Sequence, residues 1–339
     1  MNLAAFQDWV FRSVAVAGAA TACVRLCPAG WRVRVRQVVP VIAFAVLIVL
    51  GVGLVHPLPS FEMKAPAILS CWAAAAGEWI APWLMWAVSV VAMIFLARTA
   101  AGAFVVSKLV RQSRPVRGRA WRDLLDECEH TLGLRGTVRP MFAGPGFVPS
   151  ATGLIHRTVL LPDEALYWTR EQRRLVLLHE LGHFRRGDLW THALGQIACA
   201  VHWFNPFVWM LQRHLALERE FACDALVVSR GAAPEDYAVL LWEMGIVAHV
   251  PRLAAACLAI AVPRRGKLEQ RVRRILAPVR HAGLWQRIAD VPLCACGALL
   301  LVACASFKPV IARTPLGTAQ WTPQEINVRL SAEPFPGER

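Results

Sequence analysis

The chain has 339 residues, 56% of them hydrophobic and only 18% charged, with a formal net charge of +14. That is too apolar for an ordinary soluble protein. Its ten cysteines include no pair at zinc-knuckle or thioredoxin spacing, so they read as small buried hydrophobes in a reducing compartment rather than a disulfide framework.

In chain order, residues 1–110 form a predicted N-terminal membrane region with segments at about 9–28, 37–55 and 80–106. Gln37 to Val55 carries no charge, and neither does Ile80 to Ala97, which Trp79, Trp83 and Trp86 introduce as an interfacial belt. The first segment is the weakest, because only twelve residues separate Arg12 from Arg25; it spans if both snorkel, or lies flat on the membrane. A fourth predicted transmembrane helix occupies residues 288–308, with Val291 to Phe307 uncharged. A short Pro-containing extracytoplasmic tail follows at 309–339, and it is too small to bury an independent core.

Basic residues mark one side of every crossing. Arg32, Arg34 and Arg36 precede the second segment, Lys108 to Arg122 contribute six cations after the third, and a further cluster precedes the fourth. The loop from His56 to Trp79 has one Lys and two Glu. The positive-inside rule therefore predicts a multi-pass membrane protein with residues 111–287 in the cytoplasm. It also assigns the basicity to anionic headgroups, so a lipid bilayer is the expected partner and direct nucleic-acid binding is not.

Residues 111–287 suffice for one compact domain. Trp121 to Leu132 has amphipathic helical spacing, with Leu124, Leu125, Cys128 and Leu132 on one side. Thr137 to Phe142 and Ile155 to Leu161 read as short strands joined by a Gly- and Pro-rich turn, Ala143 to Gly153. Asp163 or Thr169 can cap the helix that follows. An edge strand before that helix would suit a peptidase, since extended substrates commonly add to a sheet edge.

That helix carries His179-Glu180-Leu181-Gly182-His183. The two imidazoles lie one turn apart on one face and can reach one ion, while Glu180, about 100° round the helix, can address water without ligating the metal. Arg185-Arg186-Gly187-Asp188 reads as the basic end and stop. A catalytic zinc needs a third protein ligand. The metzincin positions hold Arg186 and Leu189, so that subclass is excluded. Glu220 is the preferred third ligand over Glu218, because Asp224 lies four residues on and could accept the free N–H of a ligating histidine. Asp188 has either that role or a helix-terminal one.

Between these ligands, Leu189 to Gln212 is twenty-four residues without Asp, Glu, Lys or Arg. If it crossed the membrane, Glu220 and His179 would stand on opposite sides. With Asn205-Pro206 breaking it, the run reads as a core or membrane-skimming helix and an aromatic corner. His192, His202 and His214 read as polar groups satisfied at an interface.

These elements resemble the BlaR/MecR family of bacterial integral-membrane zinc metallopeptidases, the antirepressor type. The resemblance rests on three N-terminal segments, the strand ending Val159-Leu160-Leu161-Pro162, and Leu178-His179-Glu180-Leu181-Gly182-His183 through Asp188. It continues through His202-Trp203-Phe204-Asn205-Pro206, Glu220-x-x-Cys223-Asp224 and a fourth segment. It implies a mainly α membrane protein with four transmembrane helices and a cytoplasmic α+β zincin-like, gluzincin-type domain. One zinc ion per chain would lie on His179, His183 and Glu220. The implied activity is endoproteolysis of a cytoplasmic protein, typically a winged-helix repressor, after an extracytoplasmic signal, with autocleavage as a further family trait. The C-terminal penicillin-binding sensor domain of the best-known members has no counterpart in Lys308 to Arg339, so direct β-lactam sensing is not expected.

In the mechanism this implies, Glu180 is the general base and Asp224 orients a ligand imidazole. Tyr167, Tyr237, Arg213 and His214 are undistinguished for steadying the oxyanion. Two alternatives stand beside it: a housekeeping metalloprotease that clears damaged membrane proteins, and a non-catalytic transducer that uses zinc for structure.

Overall fold

The computed structural model describes residues 3–26, 32–52, 62–64, 77–134, 136–247 and 265–277, with short stretches at 297–299, 301–303, 305 and 308–310. Most of the fourth segment and the tail 311–339 lie outside the described residues, as does most of the loop from His56 to Trp79. The described chain is mostly helical with a small sheet.

Three helices lead: α1 (Leu3–Leu26), α2 (Arg32–Val52) and α3 (Gly77–Gln112). Among the described residues one stretch is long and apolar enough to cross a membrane, Trp86–Gln112 of α3. Its apolar surface is uncovered by protein, with Trp86 66% and Phe104 70% exposed, as a lipid-facing helix requires. A shorter apolar helix covers Arg36–Leu50. In α1, Arg12 pairs with Asp8 and donates to the Ala305 carbonyl at 2.8 Å, so its charge is neutralised inside the protein.

The domain that follows opens with β2 (Arg114–Pro115) and α4 (Arg119–Leu132), whose Trp121, Leu124, Leu125, Cys128 and Leu132 are buried as the spacing predicts. The sheet order is β2-β3-β5-β4, with β3 (Arg139–Phe142) parallel to β5 (Thr158–Leu161) and β4 (Ser150–Thr152) antiparallel to β5. The stretch predicted as a turn, Ala143 to Gly153, thus contains a strand, and that strand forms the sheet edge. Three residues are too few to show a period of two beside so many turn formers. A separate parallel pair joins β1 (Glu62–Lys64) to β6 (Lys308–Val310).

The metal-motif helix α5 (Arg170–Arg186) starts at a Thr169–Gln172 capping box and stops at Gly187, which adopts φ 69°. Its middle, Leu175 to Gly182, is buried throughout. A Cβ on Gly182 would stand 3.0 Å from Leu226 and 3.3 Å from the Cys223 thiol, so glycine there lets α7 (Pro206–Ser229) approach closely. Helices α8 (Pro234–Val247) and α9 (Arg265–Ile275) then pack on each other, and α9 also packs on α7.

The uncharged run does not form one continuous helix. It forms α6 (Asp188–Val201), a turn at His202–Phe204 and the start of α7, and its Ala198, Cys199, Val208 and Leu211 share a core with α1 and α2. The turn ties the domain to all three leading helices. His202 Nε2 donates to Leu47 O at 2.8 Å, Trp203 Nε1 donates to Val88 O at 3.3 Å, and Asn205 Nδ2 donates to Ser13 O and Oγ at 2.9 and 3.0 Å. Asn205 also caps α7 by accepting from Phe207 N.

Replacing Asn205, which is fully buried, removes a helix cap and both hydrogen bonds to Ser13 of α1. We expect Asn205→Ala to cost about 2 kcal/mol or more, read as a lower thermal midpoint of the detergent-solubilised protein. Ser13→Ala, which removes one hydroxyl acceptor, should cost less; equal stability of all three proteins would contradict the docking role.

Candidate metal centre

Helices α5 and α7 cross where Gly182 permits, and this brings the predicted ligands together. One donor atom each from His179, His183 and Glu220 lies within 4.8 Å of the others. His179 Nε2 stands 3.5 Å from Glu220 Oε2, and His183 Nε2 stands 3.9 Å from Glu220 Oε1. Tetrahedral zinc at bond lengths near 2.0–2.1 Å separates its ligand atoms by roughly 3.3 Å. The two imidazole–carboxylate separations of 3.5 and 3.9 Å are somewhat wider than that, and small side-chain movements would close all three donors on a single ion. Glu180 lines the same cleft, and among the described residues its carboxylate makes no ion pair, which leaves it available for proton transfer.

The other nitrogen of each imidazole is engaged. His179 Nδ1 lies 3.2 Å from Asp224 Oδ1 and 3.0 Å from the Tyr237 hydroxyl, which itself donates to Asp224 at 2.8 Å. His183 Nδ1 lies 3.0 Å from Asp188 Oδ2. Both rings therefore turn Nε2 toward Glu220. Asp188, which the sequence left between two roles, reaches His183 because the left-handed Gly187 folds the chain back on the helix end. Glu218, the rejected alternative ligand, is 2% exposed and accepts from Arg36 of α2 at 2.8 Å.

Two groups that the sequence did not single out for this role complete the site. Tyr237 comes from α8 and Arg271 from α9, and nothing in local periodicity brings either to residue 179. Arg271 grips Asp224 through Nε at 2.8 Å and Nη2 at 2.7 Å, and its Nη1 is 3.0 Å from Glu220 Oε2. Tyr167, Arg213 and His214 do not line the cleft; Tyr167 is 90% exposed, and His214 faces Glu218.

Burial raises the pKa of Glu220 and Asp224, but the Arg271 charge together with hydrogen bonds and charge from the neighbouring imidazoles outweighs it, holding Glu220 well below the ordinary carboxylate range and Asp224 at about 2. Burial disfavours the charged form of His179, yet hydrogen bonds to Asp224 and Glu220 prevail and raise its pKa to about 10. Burial, reinforced by Asp224, pushes the Tyr237 phenol well above its usual value, so it stays a hydroxyl donor.

A second cluster with ligand chemistry, His183, Asp188 and Cys223, shares His183 with the first. It fits a metal poorly. Burial, then Asp188 and Glu220, pushes the Cys223 thiol well above its usual range, whereas a metal takes thiolate. The described cysteines 23, 128, 199 and 223 are all free.

Against known proteins, the profile of the BlaR1 peptidase M56 family matches residues 70–275, and the chain belongs to that family of metallopeptidases. The regulatory protein BlaR1 of Bacillus licheniformis is 34% identical over 80 residues. That stretch is 24% of this chain and 13% of the relative, so the likeness covers a small part of that protein's length.

Metal binding requires neutral imidazole. With the His179 pKa at about 10 in the metal-free protein, loading near neutral pH displaces its proton. Apparent zinc affinity should therefore rise about tenfold per pH unit between roughly pH 6 and 8, measured by competition against a chelating dye with known proton linkage. Affinity independent of pH would contradict the assignment.

Proposed function

We propose that this protein is a membrane-anchored, zinc-dependent endopeptidase acting on a cytoplasmic protein, and that the substrate is a transcriptional repressor of the winged-helix class. One observation carries the peptidase reading: two imidazoles and a carboxylate from separate helices converge on one point, with Glu180, a carboxylate without an ion pair among the described residues, in the same cleft. A purely structural zinc site has no need of that fourth group. The regulatory name of the Bacillus relative supports the signalling role.

The residues that would hold zinc are His179, His183 and Glu220. The chemistry it supplies when bound is Lewis-acid polarisation of a carbonyl and acidification of water to near neutral pH. Glu180 takes a proton from the attacking water and returns it to the leaving amine. Asp224, with Tyr237, fixes the tautomer of His179, and Asp188 fixes that of His183. Arg271 is a positioning residue that holds Asp224 and Glu220 in register across two helices. The edge strand β4 packs beside α5 and has one free side among the described residues, a place for an extended substrate to lie.

We read α1, α2, α3 and the segment Val291–Phe307 as four spans, with residues 111–287 as the cytoplasmic domain of a bacterial inner-membrane protein. The basic flanks support this orientation. So does the pairing of Glu62–Lys64 with Lys308–Val310, since it sets the loop after α2 and the stretch after the last segment on one face.

Glu180→Ala should retain zinc and lose cleavage by a factor of at least about 100, whereas His183→Ala should lose both. Full proteolysis by purified Glu180→Ala protein would exclude Glu180 as the base. In cells, the same variant should trap a single DNA-binding repressor; a broad set of membrane proteins would favour the quality-control alternative.

A further inference from the structure

The residues of the metal centre line a cavity of about 730 Å³ that extends beyond them. Its lining also includes α3 from Phe95 to Arg111, the edge strand β4 with the loop after it, and parts of α6 and α7. The carboxylates that line it, Glu180, Asp188 and Glu220, all belong to the metal centre. The other charged lining is cationic: Arg98 and Arg111 from α3, and Arg219 from α7 beside the centre.

Arg219 is the unusual member. It is 8% exposed, and its guanidinium donates to the Asp188 carbonyl at 3.0 Å and to His192 Nδ1 at 3.1 Å. Among the described residues no carboxylate lies within ion-pair distance of it, and Arg98 and Arg111 have no ion-pair partner either. His192 cannot serve as a counterion, because burial and then Arg219 hold its pKa down at about 3, leaving it neutral. Asp188 and Glu220 act on the Arg219 charge only from beyond ion-pair distance, and a buried guanidinium with five donors is costly to keep without a direct anionic partner. On β4, the hydroxyl of Ser150 is buried at the cavity wall without a hydrogen-bond partner. The site is thus short of an anion and of a polar backbone-like neighbour.

We propose that this cavity selects an extended peptide segment carrying an acidic side chain, with the carboxylate bound by Arg219 and drawn in by Arg98 and Arg111. The proposal rests on the peptidase reading and narrows its substrate class. A peptide is favoured over an anionic lipid because Glu180 and the edge strand β4 line the same cavity as the three arginines.

The test uses the full chain with Glu180→Ala, zinc-loaded, in phosphatidylcholine nanodiscs, so that no peptide is cut. Short fluorescent peptides identical except for one Glu, Gln or Lys, moved along the sequence, are titrated by anisotropy. At the best position Glu should bind about tenfold tighter than Gln at low salt, with the gap shrinking as salt rises. Arg98→Glu should close or reverse it in favour of Lys; this exposed position keeps the test valid if Arg219 variants do not fold. Equal binding of Glu and Gln peptides, or a preference unchanged in both Arg98→Glu and Arg111→Glu, overturns the proposal. So does the result that only phosphatidylglycerol engages Arg98. If acid preference holds but Glu180-intact protein cuts none of the peptides, the charge selection stands and the peptidase reading falls. If it cuts Glu and Gln peptides alike and binds them alike, the reverse is true.

Discussion

Glu220 and Asp224 stand one turn apart on α7, and the negative charge they bring into the protein organises the surroundings. Asp224 is nearly inaccessible, while Glu220 keeps 23% of its side chain open to the cleft. Uncompensated, such carboxylates would cost several kcal/mol. Arg271 answers Asp224 with two hydrogen bonds and reaches Glu220 with a third nitrogen, which fixes α9 against α7. Tyr237 does the same for α8. What is left is the side of Glu220 that faces both Nε2 atoms, and a divalent cation is the species whose size and charge match it.

The same economy of buried polar groups governs how the domain meets the leading helices. The uncharged run that might have been a span instead shares its core with α1 and α2. His202, Trp203 and Asn205 then place hydrogen bonds on all three leading helices. A second link runs from Gln37 of α2 to Arg186, which also donates to Asp188 beside His183. The candidate metal cleft is therefore built against the apolar helices rather than hung from them on a linker. One wall of the cleft is the apolar helix α3 itself.

The legible parts of the site were those set by helical periodicity. His179, Glu180 and His183 needed only a spacing of four and one, and Glu220 was picked over Glu218 by what lay one turn further on. The break at Asn205-Pro206 was visible because proline cannot donate to the preceding turn. Other features could not be read. Arg271 and Tyr237 reach His179 across 92 and 58 residues of sequence, and only tertiary packing decides that. Asp188 was noticed, but its contact with His183 depends on the left-handed turn at Gly187. The edge strand β4 was hidden because Gly and Pro around it signal a turn more strongly than three residues signal a strand. Among the described residues only α3 holds a stretch long and apolar enough to cross a membrane, while α1 and α2 bury much of their apolar surface in a core shared with the domain.

The central claim is that one zinc ion sits on His179, His183 and Glu220. X-ray absorption at the zinc edge of the purified full-length protein tests it most directly. The account requires two imidazoles and oxygen donors at about 2.0–2.1 Å, with no sulfur in the coordination sphere. A sulfur at about 2.3 Å, as Cys223 would give, or a spectrum without imidazole scattering would contradict it.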